Sequence, residues 1–227
     1  MLELIEDFNL LDAFVMTIKL TLWSAFFSLV LGTIVAILRL SPVRMLEWLG
    51  TAYVTLLRNT PLTLIVVACS LVLWGQLGVE PASRESPTFI NDLNFRLGVI
   101  GLTVYHAAFV CESLRSGVNT IPVGQAEAAR SIGLTFGQSL RHVIMPQAFR
   151  GAITPLGNTL IALTKNTTVV GGTIGVADLA YQMKYIAEFR SDVLMLGFAL
   201  IALAFVILTL PVGLVVSRLS QTLAVKR

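Results

Sequence analysis

The stretch VLMLGFALIALAFVILTLPVGLVVS, residues 193–217, runs for 25 positions without a charge. About 20 apolar residues cross roughly 30 Å of hydrocarbon as a helix, so this segment predicts a membrane span. Outward from it, residues 20–38 give 19 charge-free positions and residues 59–79 give 21. Residues 97–111 give 15 and are expected to continue past Glu112, and residues 151–177 are interrupted only by Lys165. The expectation is an all-α integral membrane bundle of five transmembrane helices, over residues 14–39, 57–79, 96–116, 151–177 and 193–217.

Composition agrees. Of 227 residues, 56% are hydrophobic and 13% charged, and the mean hydropathy is +0.82. Soluble domains carry about 25% charged residues, so such a chain lacks the charge to cover a soluble fold. The net charge of +3 and pI near 9.1 do not point to nucleic acid, because the basic residues are dispersed rather than striped. Cys69 and Cys111 fall in apolar stretches and read as small buried hydrophobes. The acidic start, Glu3, Glu6, Asp7 and Asp12, is unlike the basic opening of a cleaved signal, so the first apolar stretch is expected to be retained.

Basic residues set the orientation. The connections between spans one and two and between three and four, with the tail, hold ten: Arg39, Arg44, Arg58, Arg115, Arg130, Arg141, Arg150, Arg218, Lys226 and Arg227. The other side holds four, Arg84, Arg96, Lys184 and Arg190. The N-terminus is therefore expected outside and the C-terminus in the cytoplasm. No separate soluble domain or clear repeat is evident, so residues 1–227 read as one transmembrane domain with a cytoplasmic loop at 117–150.

That loop contains Asn119-Thr-Ile-Pro-Val-Gly-Gln-Ala-Glu-Ala-Ala-Arg-Ser-Ile-Gly133. Pro122 suits a helix start, the alanines favour helix with a thin surface, and Gly133 suits a left-handed stop. Thr135 with Gln138 predicts a capping box opening a second helix, on which Phe136, Leu140 and Ile144 share a face. By propensity this is either a short helix offered to a partner's groove or an ordinary structured loop.

Glu127-Ala128-Ala129, Gly133 and Val143-Ile144-Met145-Pro146 resemble the EAA signature of ABC importer permeases. Val143 and Met145 depart mildly from the usual Ile-x-Leu-Pro. Arg58-Asn59-Thr60-Pro61-Leu62 resembles the Arg-Gly-Thr-Pro-Leu of polar-amino-acid permeases, with Asn59 replacing Gly. Lys165-Asn166-Thr167-Thr168, after Leu156-Gly157-Asn158-Thr159-Leu160, is similar to a fourth-span stretch often written Lys-Asp-Thr-Ser. With Glu112-Ser113-Leu114-Arg115, the combination looks most like actinobacterial glutamate uptake permeases, over nearly the whole chain. The resemblance implies a plasma-membrane subunit of an ATP-driven amino-acid importer, with glutamate the leading substrate. It implies that Glu127, Ala128, Ala129 and Gly133 form the coupling helix docking on cytoplasmic ATPase subunits. A second permease subunit and an extracytoplasmic amino-acid-binding protein are the other implied partners. The chain has no Gly-x4-Gly-Lys-Ser/Thr loop, so ATP and magnesium are expected on the ATPase. No catalytic residue, resident cofactor or metal site is expected here.

Polar residues inside spans need a reason. A lysine at a span centre costs about 2.5–3.5 kcal/mol, so Lys165 is expected to face water, a carboxylate or the bundle interior, lining the pathway or tying helices together. Asn158, Lys165 and Thr168 share a helical face, read as pathway or as interhelical glue, with Thr167 beside them. Glu112 and Arg115 are expected to pair locally, and Arg58, next to Thr60, to anchor span two or take part in substrate exit. Gly171 and Gly175 form a Gly-x3-Gly pair that permits close helix approach. His106 and His142 have no second ligand at metal spacing. A self-sufficient secondary transporter or channel is the alternative, but intramembrane carboxylates or inverted repeats for it are not evident.

Overall fold

The structure, a computed structural model, describes residues 8–223. Glu3, Glu6, Asp7, Lys226 and Arg227, used in the charge reading above, lie outside the described residues. Those described form helices and connections, with no strand among them.

Helix α1 is Leu10–Leu40, α2 is Arg44–Asn59, and α3 is Leu62–Ala68 running into a π-helical turn, Cys69–Trp74. Helix α4 is Phe89–Val118. The intervening segment holds α5 (Val123–Ser131), α6 (Phe136–Ser139) with a π-helical turn (Leu140–Ile144), and α7 (Met145–Gly151). Then follow α8 (Ile153–Ile174), α9 (Leu179–Phe189), a 3-10 turn (Ser191–Val193) and α10 (Leu194–Leu223).

Among the described residues, three helices are long and apolar enough to cross a membrane: α1, α4 and the segment Ser191–Thr222, which takes in nearly all of α10. The pair α2 and α3 qualifies only when taken together, and it bends by 105°. Helix α8 has the length, at 22 residues, but its run of Asn158, Thr159, Thr164, Lys165, Asn166, Thr167 and Thr168 removes the apolarity. Length and apolarity thus give three spans, or four with the bent pair counted as one, where five windows were expected.

The bend has a local cause. A residue before proline is pushed out of the helical region, and Thr60 sits at φ −102°, ψ 132°, ahead of Pro61. The window 59–79 is therefore not one straight helix: α3 leaves α2 at this corner, and the helical backbone stops at Trp74.

Helix α4 is the centre of the bundle. Of its most apolar 18-residue window 67% is buried, against 11% for α10. Leu93, Leu97, Leu102 and Leu114 are fully buried along α4. At one end they join Val35, Ala36 and Val54 of α1 and α2 with Leu140 and Met145. At mid-height Leu20, Leu62, Val66 and Val170 close the core around Val99 and Leu102. Helix α10 instead exposes Phe198, Leu203, Ile207, Leu210 and Leu214, the surface expected of a helix against lipid.

Thr17, Thr21 and Ser28 inside α1 bond their own helix, as an apolar surround demands, whereas the buried Ser24 hydroxyl has no partner among the described residues. The Thr17 hydroxyl donates to the Ala13 carbonyl (2.9 Å) and Thr21 to the Thr17 carbonyl (2.9 Å). Thr17 also accepts the Leu179 backbone N–H at 3.3 Å, tying α9 to α1.

Candidate coupling and translocation sites

Helix α5 is held by its ends. Pro122 precedes it at φ −57°, ψ 133°. Its far end is a Schellman motif: the Gly133 N–H donates to the Arg130 carbonyl (2.9 Å) and the Leu134 N–H to the Ala129 carbonyl (3.1 Å). Gly133 takes φ +86°, where other residues are strained. The capping box at Thr135 and Gln138 is present on both sides. Gln147 of α7 donates to Gln125 at 3.1 Å, bracing α5 from behind. Ala129 is buried, whereas Glu127 and Ala128 are exposed, as are the large apolar Val123 (74%) and Ile132 (78%). A short braced helix that keeps apolar side chains in solvent is suited to a groove on another protein. The expected face of Phe136, Leu140 and Ile144 is not formed as a unit: Leu140 is buried, Ile144 half-buried and Phe136 exposed. The π-helical turn across 140–144 shifts the helical period there.

Glu112 does more than pair with its neighbour. Its carboxylate pairs with Arg39 from α1, with Arg115 at 3.6 Å, and with Arg58 from the end of α2 at 3.9 Å. Arg58 also lies 5.7 Å over the Phe109 ring and Thr60 donates to the Leu56 carbonyl at 2.8 Å. The Arg58–Leu62 stretch is therefore a corner that Arg58 links to α4.

On α8, Asn158 and Lys165 are exposed along one side and Thr168 is half-buried, its hydroxyl on the Lys165 carbonyl at 2.8 Å. Lys165 forms no ion pair among the described residues. Thr167 does not join that side; it is fully buried and donates to the Thr164 carbonyl at 2.9 Å. Asn166 meets the buried His106 of α4 at 3.2 Å, a pairing absent from the sequence reading.

The connection after α8 hides a carboxyl one residue past the expected span 151–177. Asp178 is fully buried. Its Oδ1 accepts from the Ala180 and Tyr181 N–H groups (2.9 and 3.0 Å), capping α9, while Oδ2 has no partner. Burial pushes this carboxyl up to about 6. Gly171 makes the room: a Cβ there would fall 1.8 Å from Oδ1. Gly175 ends α8 at φ +75°. The Gly-x3-Gly pair thus accommodates this turn and its carboxylate.

Residues 28–225 match the family model described as binding-protein-dependent transport system inner membrane component. The chain belongs to this family. The glutamate transport system permease protein GluC of Corynebacterium glutamicum is 54% identical over 219 residues, covering 96% of each chain. The probable glutamine ABC transporter permease protein GlnM of Bacillus subtilis is 35% identical, covering 97% of this chain and 96% of the other. A solved structure, described as the crystal structure of an amino acid ABC transporter with histidines, is similar with TM-score 0.78 at 27% identity, covering 97% of both chains. The chain is thus a permease subunit of the bacterial inner membrane, similar to amino-acid ABC importer permeases. ATP hydrolysis belongs to a separate subunit.

Proposed function

We propose that this permease carries an acidic amino acid, glutamate first, through an ATP-driven importer. The observation that carries the reading is the 54% identity, over 96% of both chains, with the Corynebacterium glutamicum glutamate permease. One subunit supplies half a pathway. A second copy or a similar permease completes it, two ATPases holding ATP and magnesium sit inside, and an amino-acid-binding protein delivers substrate outside.

In this reading residues 1–227 are one domain of five spans, counting α2–α3 and α8, with the N-terminus out and the C-terminus in. The basic-residue asymmetry supports that orientation. Val123, Glu127, Ala128 and Ile132 present the docking face, while Ala129 and Gly133 hold its shape. ATP binding draws the ATPases together, α5 follows, and the spans rock between two states that differ in their contacts. Asn158, Lys165 and Thr168 line the path. Arg58 and Thr60 shape its corner, and the buried Thr167 keeps α8 packed.

The test is uptake of labelled glutamate into proteoliposomes holding the complete importer, with unlabelled competitors. Competition by glutamate and aspartate but not by glutamine, arginine or histidine is expected. Competition by glutamine in preference to glutamate would assign the cargo to the amide.

A further inference from the structure

A cavity of about 430 Å³ lies where the π-helical end of α3, the first turns of α4, the last turn of α8 and α9 meet. Sites for small molecules occupy about 300–1,000 Å³, so one amino acid fits. Ser70, Asn94, Tyr181 and Lys184 line it, and none of these four side chains has a hydrogen-bond or ion-pair partner among the described residues. Lys184 is the one charged residue on its wall. Glu188, a turn further along α9, forms no ion pair with it, and Glu80, which bonds Trp74 of the wall, is held by Arg84. Lys184 is thus exposed and without an ion pair among the described residues, and the remaining carboxylate by the wall, Asp178 behind Gly171, is buried and turned to the cap of α9.

The opposite wall has the opposite polarity. Gly171, Gly172, Thr173 and Ile174 contribute the last turn of α8. The final four carbonyls of a helix have no partner within it and form the negative end of its dipole. At Gly172 no side chain covers them, and a Cβ would meet nothing within 4 Å.

We propose that this cavity is an outer binding pocket for an acidic amino acid. The Lys184 ammonium takes a carboxylate, Ser70, Asn94 and Tyr181 give hydrogen bonds, and the end of α8 takes the α-ammonium. This rests on the acidic-amino-acid reading and on the orientation given above, which puts the cavity on the outer side. The pocket is also continuous with the face of α8 already described. Asn158, Lys165 and Gly172 follow one another at intervals of seven residues and are all exposed. Each interval advances about 10 Å along the helix, so a carboxylate leaving Lys184 and passing Gly172 next meets the ammonium of Lys165.

The experiment compares the wild-type importer, reconstituted with its ATPase and binding protein, with Lys184→Met, Lys184→Arg and Gly172→Leu. Losing a charge-assisted contact predicts about a tenfold fall in labelled glutamate uptake for Lys184→Met, with most of it restored in Lys184→Arg. Gly172→Leu, placed where a side chain has space, should fill the pocket and block uptake while the complex still assembles. ATP hydrolysis stimulated by loaded binding protein should persist in Lys184→Met. Wild-type uptake of glutamate together with unchanged uptake in Lys184→Met overturns the pocket alone. A parallel loss of stimulated hydrolysis overturns it too, by assigning Lys184 to binding-protein docking. Absence of acidic-amino-acid uptake in the wild type overturns the functional reading and the pocket with it.

Discussion

Asp178 and Glu112 show how far single side chains can be read from sequence. The Asp178 carboxyl sits at about 6 in the fold, above its ordinary 3.8. A group raised in this way stabilises the fold most where it is protonated in both states, below about 4, and that stability is lost as pH rises through about 6. This rise in pKa corresponds to about 3 kcal/mol. Asp178→Asn retains an acceptor for the Ala180 and Tyr181 N–H groups without the buried charge. Its thermal unfolding is expected to depend less on pH between about 4 and 6.5 than the wild type's, with higher stability near neutrality. An unchanged pH slope would show that Asp178 is not the group responsible. For Glu112, the side chain of Arg39 is only 12% exposed whereas that of Arg115 is 37% exposed. Glu112→Gln is expected to cost about 1–3 kcal/mol by leaving three guanidiniums without a carboxylate. Arg115→Ala should cost under about 1 kcal/mol. Thermal unfolding of the solubilised subunit distinguishes them, and equal losses would contradict the shared node. Only the Glu112–Arg115 spacing was legible beforehand, because an i, i+3 pair follows from helix geometry. Arg39 and Arg58 reach the same carboxylate through helix crossings that no local pattern encodes, and the burial of Asp178 likewise depends on how α9 folds back on α1.

At the scale of elements, the signals that worked were chemical and local. Pro122, Gly133, Thr135 and Gln138 each act within one turn of themselves, so the start and stop of α5 and the cap of α6 could be read directly. The π-helical turns could not, since no residue in 69–74 or 140–144 demands them. The corner at Thr60-Pro61 was legible in principle through the proline rule, but a window counted only for missing charge passes over it. Two substitutions test the role proposed for α5. Gly133→Asp places a side chain at φ +86°, costing about 1–2 kcal/mol, and should abolish uptake while the subunit stays in the membrane. Glu127→Lys alters an exposed side chain, so stability should be within about 0.5 kcal/mol of wild type while uptake is lost. Retention of the ATPase on purification and normal uptake in both would remove α5 from the coupling mechanism.

For the whole molecule, hydropathy was legible because lipid contact is a bulk property of a helix, and α10, hardly buried, is its plainest case. The polarity of α8 blurs the same signal where the chain faces its own bundle. Orientation is open to a direct check, since Cys69 and Cys111 are both buried and free. A cysteine replacing Glu85 is expected to react with a membrane-impermeant maleimide from outside, and one replacing Glu127 only after the membrane is opened. The reverse pattern would invert the proposed topology. The most direct test of the central claim is the energy source: glutamate uptake into proteoliposomes containing the purified importer, with ATP inside and its binding protein outside, against a proton or sodium gradient without ATP. The account predicts uptake that requires ATP and is indifferent to the gradient. Uptake driven by a gradient in vesicles holding this subunit and no ATPase would contradict it.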